Sequence, residues 1–261
     1  MLEDLLDQMG SADGRGVRVA IVDTGVDGAH PWVGGRLVES HFVEDNGTGL
    51  PRVLPGPALD VCGHGTAAAA QVRLLAPMAE IVSVRVLSED RSGTSEALVA
   101  ALSWLTTQEV NLVNLSLSTM RLGLAFRIGQ AVDALHARNI ACVCAQGYHK
   151  TGHDYPTSFA STIGVTYEEL PAAGLFFRPH SLVEFAASGV DIDAAWLGGA
   201  TRRVTGSSYA APLVSALCAR LLQLRPSLTP YELKTLLKAY AERRASGWNE
   251  PWMAAADSPR G

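Results

Sequence analysis

Residues 17–22, Val-Arg-Val-Ala-Ile-Val, form a mostly apolar, β-branched run that ends on Asp23, Thr24 and Gly25. A run of this kind predicts a strand covered on both faces, as in a parallel sheet. Similar runs recur at 81–87, 112–117 and 140–145, and shorter ones at 184–187 and 190–194. Helical patterns at 66–71, 96–107, 125–138, 210–222 and 229–243 alternate with them. The alternation predicts an α/β fold, a parallel sheet flanked by helices on both faces. Asp23 then stands at the carboxyl end of its strand, where open α/β sheets place their sites.

Two further stretches share that character. Gly63-His64-Gly65-Thr66 opens an alanine-rich helix, and Gly206-Ser207-Ser208-Tyr209-Ala210-Ala211-Pro212 runs from a turn into another. Ser208 sits near a helix N-terminus, where unpaired N–H groups and the dipole favour a developing anion. Pro212, one turn in, is expected to fall among residues whose N–H is unpaired anyway. Each stretch has a plain structural reading: an Asx-turn acid for Asp23, an N-cap for the serine. Asp, His and Ser, each at an element end beside glycine, are also the parts of a nucleophilic triad. No Gly-x-Ser-x-Gly is present, which argues against an α/β-hydrolase elbow.

In this order the three blocks resemble the subtilisin-like serine proteases, or subtilases, and the likeness runs from about Gly16 to about Ala241. The resemblance implies a subtilisin-like fold. It also implies a serine endopeptidase in which Ser208 attacks, His64 shuttles the proton and Asp23 orients His64. It makes Ser92-Gly93-Thr94 the edge segment on which an extended substrate is laid by strand addition. Ser116-Leu117-Ser118 resembles the second substrate-binding strand, with Ser118-Thr119 where the family usually has glycines. Ala145 and Gly147 belong to the same cleft. Where subtilases follow that strand with Gly-Asn, the Asn donating to the oxyanion, this chain has Gly147-Tyr148. Tyr148, Gln146 and the Ser207 hydroxyl are the substitutes, beside the Ser208 N–H. Asp154, just before Tyr155-Pro156, falls at the base of the pocket for the side chain preceding the cut bond. An acid there implies cleavage after Arg or Lys, the alternative being a solvated loop acid in His153-Asp154-Tyr155. His30-Pro31 resembles the turn after the family's acid and is given a structural role. Cys62, two residues before His64, reads either as a cleft residue or as a small buried hydrophobe.

The calcium loop that many secreted relatives carry between the His64 helix and the next strand has no counterpart between Gln71 and Ile81. No metal and no cofactor is therefore expected. Secreted relatives usually carry a long propeptide, and residues 1–15 are too few to be one. Folding without it and its prior removal both stay open. Met1–Gly10 holds Glu3, Asp4 and Asp7 in place of a basic stretch and an apolar one, so no secretory signal is read. The four cysteines show neither Cys-x-x-Cys nor a zinc spacing; Cys142 and Cys144 would share one face of a strand. They read as reduced thiols of a cytoplasmic protein. A formal net charge of −5 without long runs of one sign argues against nucleic acid as a partner. No apolar run is long enough to span a bilayer.

The expected organisation is a short polar lead (1–15, with a helix at 2–9), one peptidase domain (16–245) and a patternless tail (246–261). Residues 46–57, rich in Gly and Pro, read as an exposed loop. The partner is an extended peptide or protein substrate, and the chain is expected to be a monomer. Two alternatives stay open: a catalytically weak or inactive pseudoprotease acting as a peptide-binding or regulatory module, and a peptide ligase.

Overall fold

A computed structural model describes residue 2 and residues 4–45, 50–147 and 154–256. Eleven strands are present among them: β1 (Arg18–Asp23), β2 (Leu37–Glu44), β3 (Arg52–Pro55), β4 (Glu80–Arg85), β5 (Leu112–Leu115), β6 (Ala141–Ala145), β7 (Ile163–Glu168), β8 (Leu175–Phe177), β9 (Phe185–Ser188), β10 (Ile192–Ala195) and β11 (Thr201–Val204). The helices are α1 (Asp4–Gln8), α2 (His64–Leu75), α3 (Ser95–Leu105), α4 (Leu122–Ala137), α5 (Ser207–Leu224), α6 (Pro230–Ala245) and α7 (Pro251–Ala256).

Nine strands make one sheet in the order β3-β2-β4-β1-β5-β6-β7-β9-β8. It is parallel from β2 to β9, and only the edge strands β3 and β8 run antiparallel. A separate hairpin pairs β10 with β11. The strand pleat sends alternate residues to opposite faces. Val19 and Ile21 of β1, with Ala141, Val143 and Ala145 of β6, join the core formed with α2, α5 and α6. Ala20, Val22, Cys142 and Cys144 join the other, formed with α3 and α4. Cys142 and Cys144 thus share a face, and burial pushes the Cys142 thiol up to about 12. All four cysteines are free thiols.

Several elements depart from the pattern read in the sequence. The loop expected at 46–57 contains β3, because the edge of β2 offers Arg52–Pro55 a ladder, with its proline at an edge where proline is tolerated. Residues 46–49 of that loop lie outside the described residues. The tail carries α7, whose Met253 is buried. The N-terminal stretch buries Leu5, Leu6 and Met9. Arg220 of α5 ties both ends to the core: Nη1 donates to the Met9 carbonyl at 2.6 Å and Nε to that of Leu75 at 2.5 Å. Its guanidinium stacks 3.9 Å from the Trp252 ring of α7. Burial lowers the Arg220 pKa to about 10. The capping of α6 follows its sequence signal, with Thr229 and Glu232 closing a reciprocal box around Pro230.

Candidate active site

Asp23 ends β1 and is fully buried. Its carbonyl holds the next strand's exit, accepting from Val86 N at 2.9 Å and Leu87 N at 3.2 Å. The turn that follows packs backbone to backbone against the start of α2. A Cβ at Gly65 would lie 2.0 Å from the Gly25 carbonyl oxygen, and one at Gly25 (φ +105°) would lie 2.2 Å from that of Leu59. Only glycine fits either position. Asp60 locks the joint. It accepts from Thr24 Oγ1 (2.7 Å), Cys62 N (2.9 Å), Gly63 N (2.8 Å), Thr66 N (2.8 Å) and Thr66 Oγ1 (2.7 Å). These bonds satisfy N–H groups that the first turn of α2 leaves unpaired.

That joint brings His64 to Asp23. Nδ1 lies 2.8 Å from Oδ1 and 2.9 Å from Oδ2, so in the neutral ring Nδ1–H donates and Nε2 is the free base. Burial pulls the His64 pKa down, but the charge and hydrogen bond of Asp23 outweigh it, and the net shift is upward. Tyr209 stands edge-on to the His64 ring, centroids 5.4 Å apart.

Ser208 is the second residue of α5. The helix begins at Ser207, so Pro212 is its sixth residue and falls beyond the unpaired N–H groups where it was expected. Its missing N–H instead frees the Ser208 carbonyl, four residues back. Ser116 Oγ donates to that carbonyl at 3.0 Å. Ser116 Oγ in turn accepts from Asn114 Nδ2 (3.0 Å), and Asn114 Oδ1 accepts from Ser215 Oγ (3.0 Å). A buried polar chain therefore fastens the first turns of α5 to β5. Ser208 Oγ itself donates to the Ser116 carbonyl at 3.1 Å. Among the described residues no hydrogen bond joins Ser208 Oγ to His64.

A cleft of about 610 Å³ takes in His64 and Ser208. Ser116, Leu117, Ser118, Ala145, Gln146, Gly147, Asp154 and Ser207 also line it. Ser92, Gly93 and Thr94 lie outside that lining, in shallower depressions beside it. Thr94 caps α3 by accepting from Ala97 N, and Ser92 Oγ is bonded to Asp90. The cleft wall there is made by Leu87, Asp90 and Arg91. Cys62 is half-buried and outside the lining.

Asp154 is 3 % exposed, and its Oδ2 accepts from Gly147 N at 3.1 Å. Thr119 pairs with Tyr155 through two 2.8 Å backbone bonds, joining the 116–119 segment to this loop. Tyr148 lies outside the described residues. The Ser207 hydroxyl donates to the Gln146 carbonyl. His30 holds its turn, with Nδ1 accepting from Trp32 N at 3.1 Å and Nε2 lying 3.0 Å from the Ala200 carbonyl. Asp60, Asn114, Arg91 and Arg121 were not singled out in the sequence; Asp60 had a signal, an acid four residues before a histidine at a helix start. Among the described residues no group of three or more His, Cys, Asp or Glu side chains is gathered as a metal would need. No helix among them is long and apolar enough to cross a membrane.

The sequence profile of the subtilase family matches residues 14–251. Alkaline serine exoprotease A of Vibrio alginolyticus is 29% identical over 239 residues, covering 88% of this chain and 42% of that protein. An intracellular serine protease of Paenibacillus polymyxa is 28% identical over 227 residues, covering 81% of this chain and 68% of that one. Among solved structures, a cold-adapted subtilisin-like serine proteinase superposes with a TM-score of 0.71 at 27% identity, covering 87% of this chain and 83% of that chain.

Proposed function

The chain belongs to the subtilase family, and from that membership and the cleft geometry we propose that it is a serine endopeptidase acting through Asp23, His64 and Ser208. The observation that carries the reading is the buried Asp23–His64 pair opening onto the cleft that Ser208 lines from the first turn of α5. Ser208 Oγ attacks the peptide carbonyl and forms the C–O bond, while His64 Nε2 takes its proton. Collapse of the tetrahedral adduct breaks the C–N bond, and the leaving amine takes that proton. Water, deprotonated by the same nitrogen, then attacks the acyl-enzyme; the released acid leaves Ser208 protonated again.

The oxyanion would face the Ser208 N–H at the positive end of α5. Tyr148 or the Gln146 amide would supply the second donor. Ser207 is the weaker candidate, since its hydroxyl already serves the Gln146 carbonyl. Ser116–Ser118 and Gly147 would bind the substrate backbone, and Ser92–Thr94 would extend that edge.

Asp154 supports cleavage after Arg or Lys. It places a carboxylate on the cleft wall, and an arginine side chain can meet a carboxylate with two hydrogen bonds. We take residues 16–245 as the peptidase domain acting on a dedicated peptide or protein in the cytoplasm. The free thiols and the intracellular relative support that location. The test is hydrolysis of a peptide library with product masses read directly. The wild type should release free acids after basic residues, and Ser208→Ala should release none. Undiminished cleavage by Ser208→Ala would reject the assignment.

A further inference from the structure

Two arginines that the proposed chemistry does not use line the cleft. Arg91 comes from the turn after β4, and Arg121 from the segment after β5. In the sheet β4 and β5 flank β1, so these segments rise on either side of the strand that ends at Asp23.

Both arginines occupy positions where local backbone rules favour another residue. Arg91 has φ +62°, a left-handed conformation that L side chains seldom adopt and that glycine or asparagine would fill more cheaply. The turn holding it is closely tied. Arg91 N donates to the Ser88 carbonyl at 3.0 Å and Ser88 N to that of Ser92 at 2.9 Å. Asp90 also lines the cleft, but its Oδ1 is drawn into the turn, accepting from Ser88 Oγ, Ser92 N and Ser92 Oγ. Arg121 stands at the N-cap of the 16-residue α4 and makes no side-chain cap. A cation there faces the positive end of the helix dipole, where Ser, Thr, Asp or Asn would be favoured. Among the described residues no carboxylate pairs with Arg121. Local misfits that cluster at one place are a mark of function. One ligand chemistry relieves the misfit at Arg121 and meets both charges: a carboxylate pairs with either guanidinium and complements the start of α4.

We propose that the cleft selects a substrate carrying an aspartate or glutamate, its carboxylate held between Arg91 and Arg121. This rests on the reading that the cleft binds an extended peptide. The acid occupies a position of that peptide other than the one next to the cut bond, whose pocket is assigned to Asp154. Such a substrate carries charges of both signs.

The test uses paired fluorogenic peptides with Glu or Gln scanned through each position. In the wild type one position should show about tenfold higher kcat/KM for Glu, mostly in KM, as one close charge pair supplies. The preference should shrink as ionic strength rises. Arg91→Gln and Arg121→Gln should each reduce the Glu/Gln ratio by about threefold to tenfold. Equal cleavage of every Glu and Gln pair, or a preference intact in both variants, overturns the proposal. Its failure is separable from that of the catalytic reading. A fluorophosphonate adduct on Ser208 without acid preference defeats the two-arginine site alone. If no adduct forms, fluorescence-polarisation binding of the same peptides to Ser208→Ala decides. Tighter binding of Glu than Gln, lost in the arginine variants, supports the site, and equal binding rejects it.

Discussion

Asp60 gives its carboxylate to Thr24, Cys62, Gly63 and twice to Thr66, whereas Arg91 and Arg121, on the same cleft, lie exposed against the preference of their own backbone. The wall carrying Asp23 and His64 is buried, and its polar groups answer one another. The rim that carries Arg91 and Arg121 lies at the surface, where the proposed substrate would meet it. The difference separates what orients reacting groups from what chooses a substrate. Damage to the wall should therefore affect stability and turnover together, and changes to the rim should redirect specificity with little effect on folding.

The largest effect is expected from Asp60→Ala. It strips partners from buried N–H and hydroxyl groups on both sides of the β1–α2 joint, each worth about 1–3 kcal/mol when left unsatisfied. Thermal denaturation should show a fall in Tm equivalent to about 3 kcal/mol or more. Turnover should fall too, because His64 loses its fixed approach to Asp23. A variant with wild-type Tm and kcat would show that Asp60 does not hold the wall.

Next comes Asp154→Gly. Preference for Arg or Lys before the cut bond should drop by about tenfold in favour of Phe, Tyr or Leu. The Tm should move far less than for Asp60→Ala. Identical library profiles for the two proteins would remove Asp154 from the pocket.

The smallest effect concerns pH. His64 must be neutral to accept a proton, and its pKa is raised by Asp23 against the opposing effect of burial. The acid limb of kcat/KM should therefore have its midpoint above 6.5. The stability contribution runs the opposite way. A raised histidine pKa stabilises the fold below the unfolded value and ceases to as pH climbs through the folded one. Arg91 opposes the protonated ring, so Arg91→Ala should move the limb further upward. An unchanged limb would place Arg91 away from His64.

The sheet and its large helices were legible because their runs are long and periodic, and the structure trims β5 from 112–117 to Leu112–Leu115 and extends α2 from 66–71 to His64–Leu75. The short elements were not. Strand β3 sits in a Gly- and Pro-rich stretch and exists through its ladder with β2. Helix α7 is six residues long and held by contacts such as Trp252 on Arg220, which come from distant parts of the chain. The same division runs through the site. Asp23, His64 and Ser208 stood out because each ends or opens an element beside glycine. Asn114 looks in sequence like any strand residue, and its part appears only with Ser116 and Ser215 around it. Pro212 was read as harmless by position, whereas its missing N–H frees the carbonyl that Ser116 takes. Arg91 draws its meaning from the turn wound by Asp90.

The central claim, that Asp23, His64 and Ser208 work as one nucleophilic unit, is tested most directly by mapping a fluorophosphonate adduct. The wild type should carry a single adduct on Ser208, and His64→Ala should slow its formation by orders of magnitude while the protein stays folded. An adduct on Ser207, or equally fast labelling of Ser208 without His64, would contradict the account.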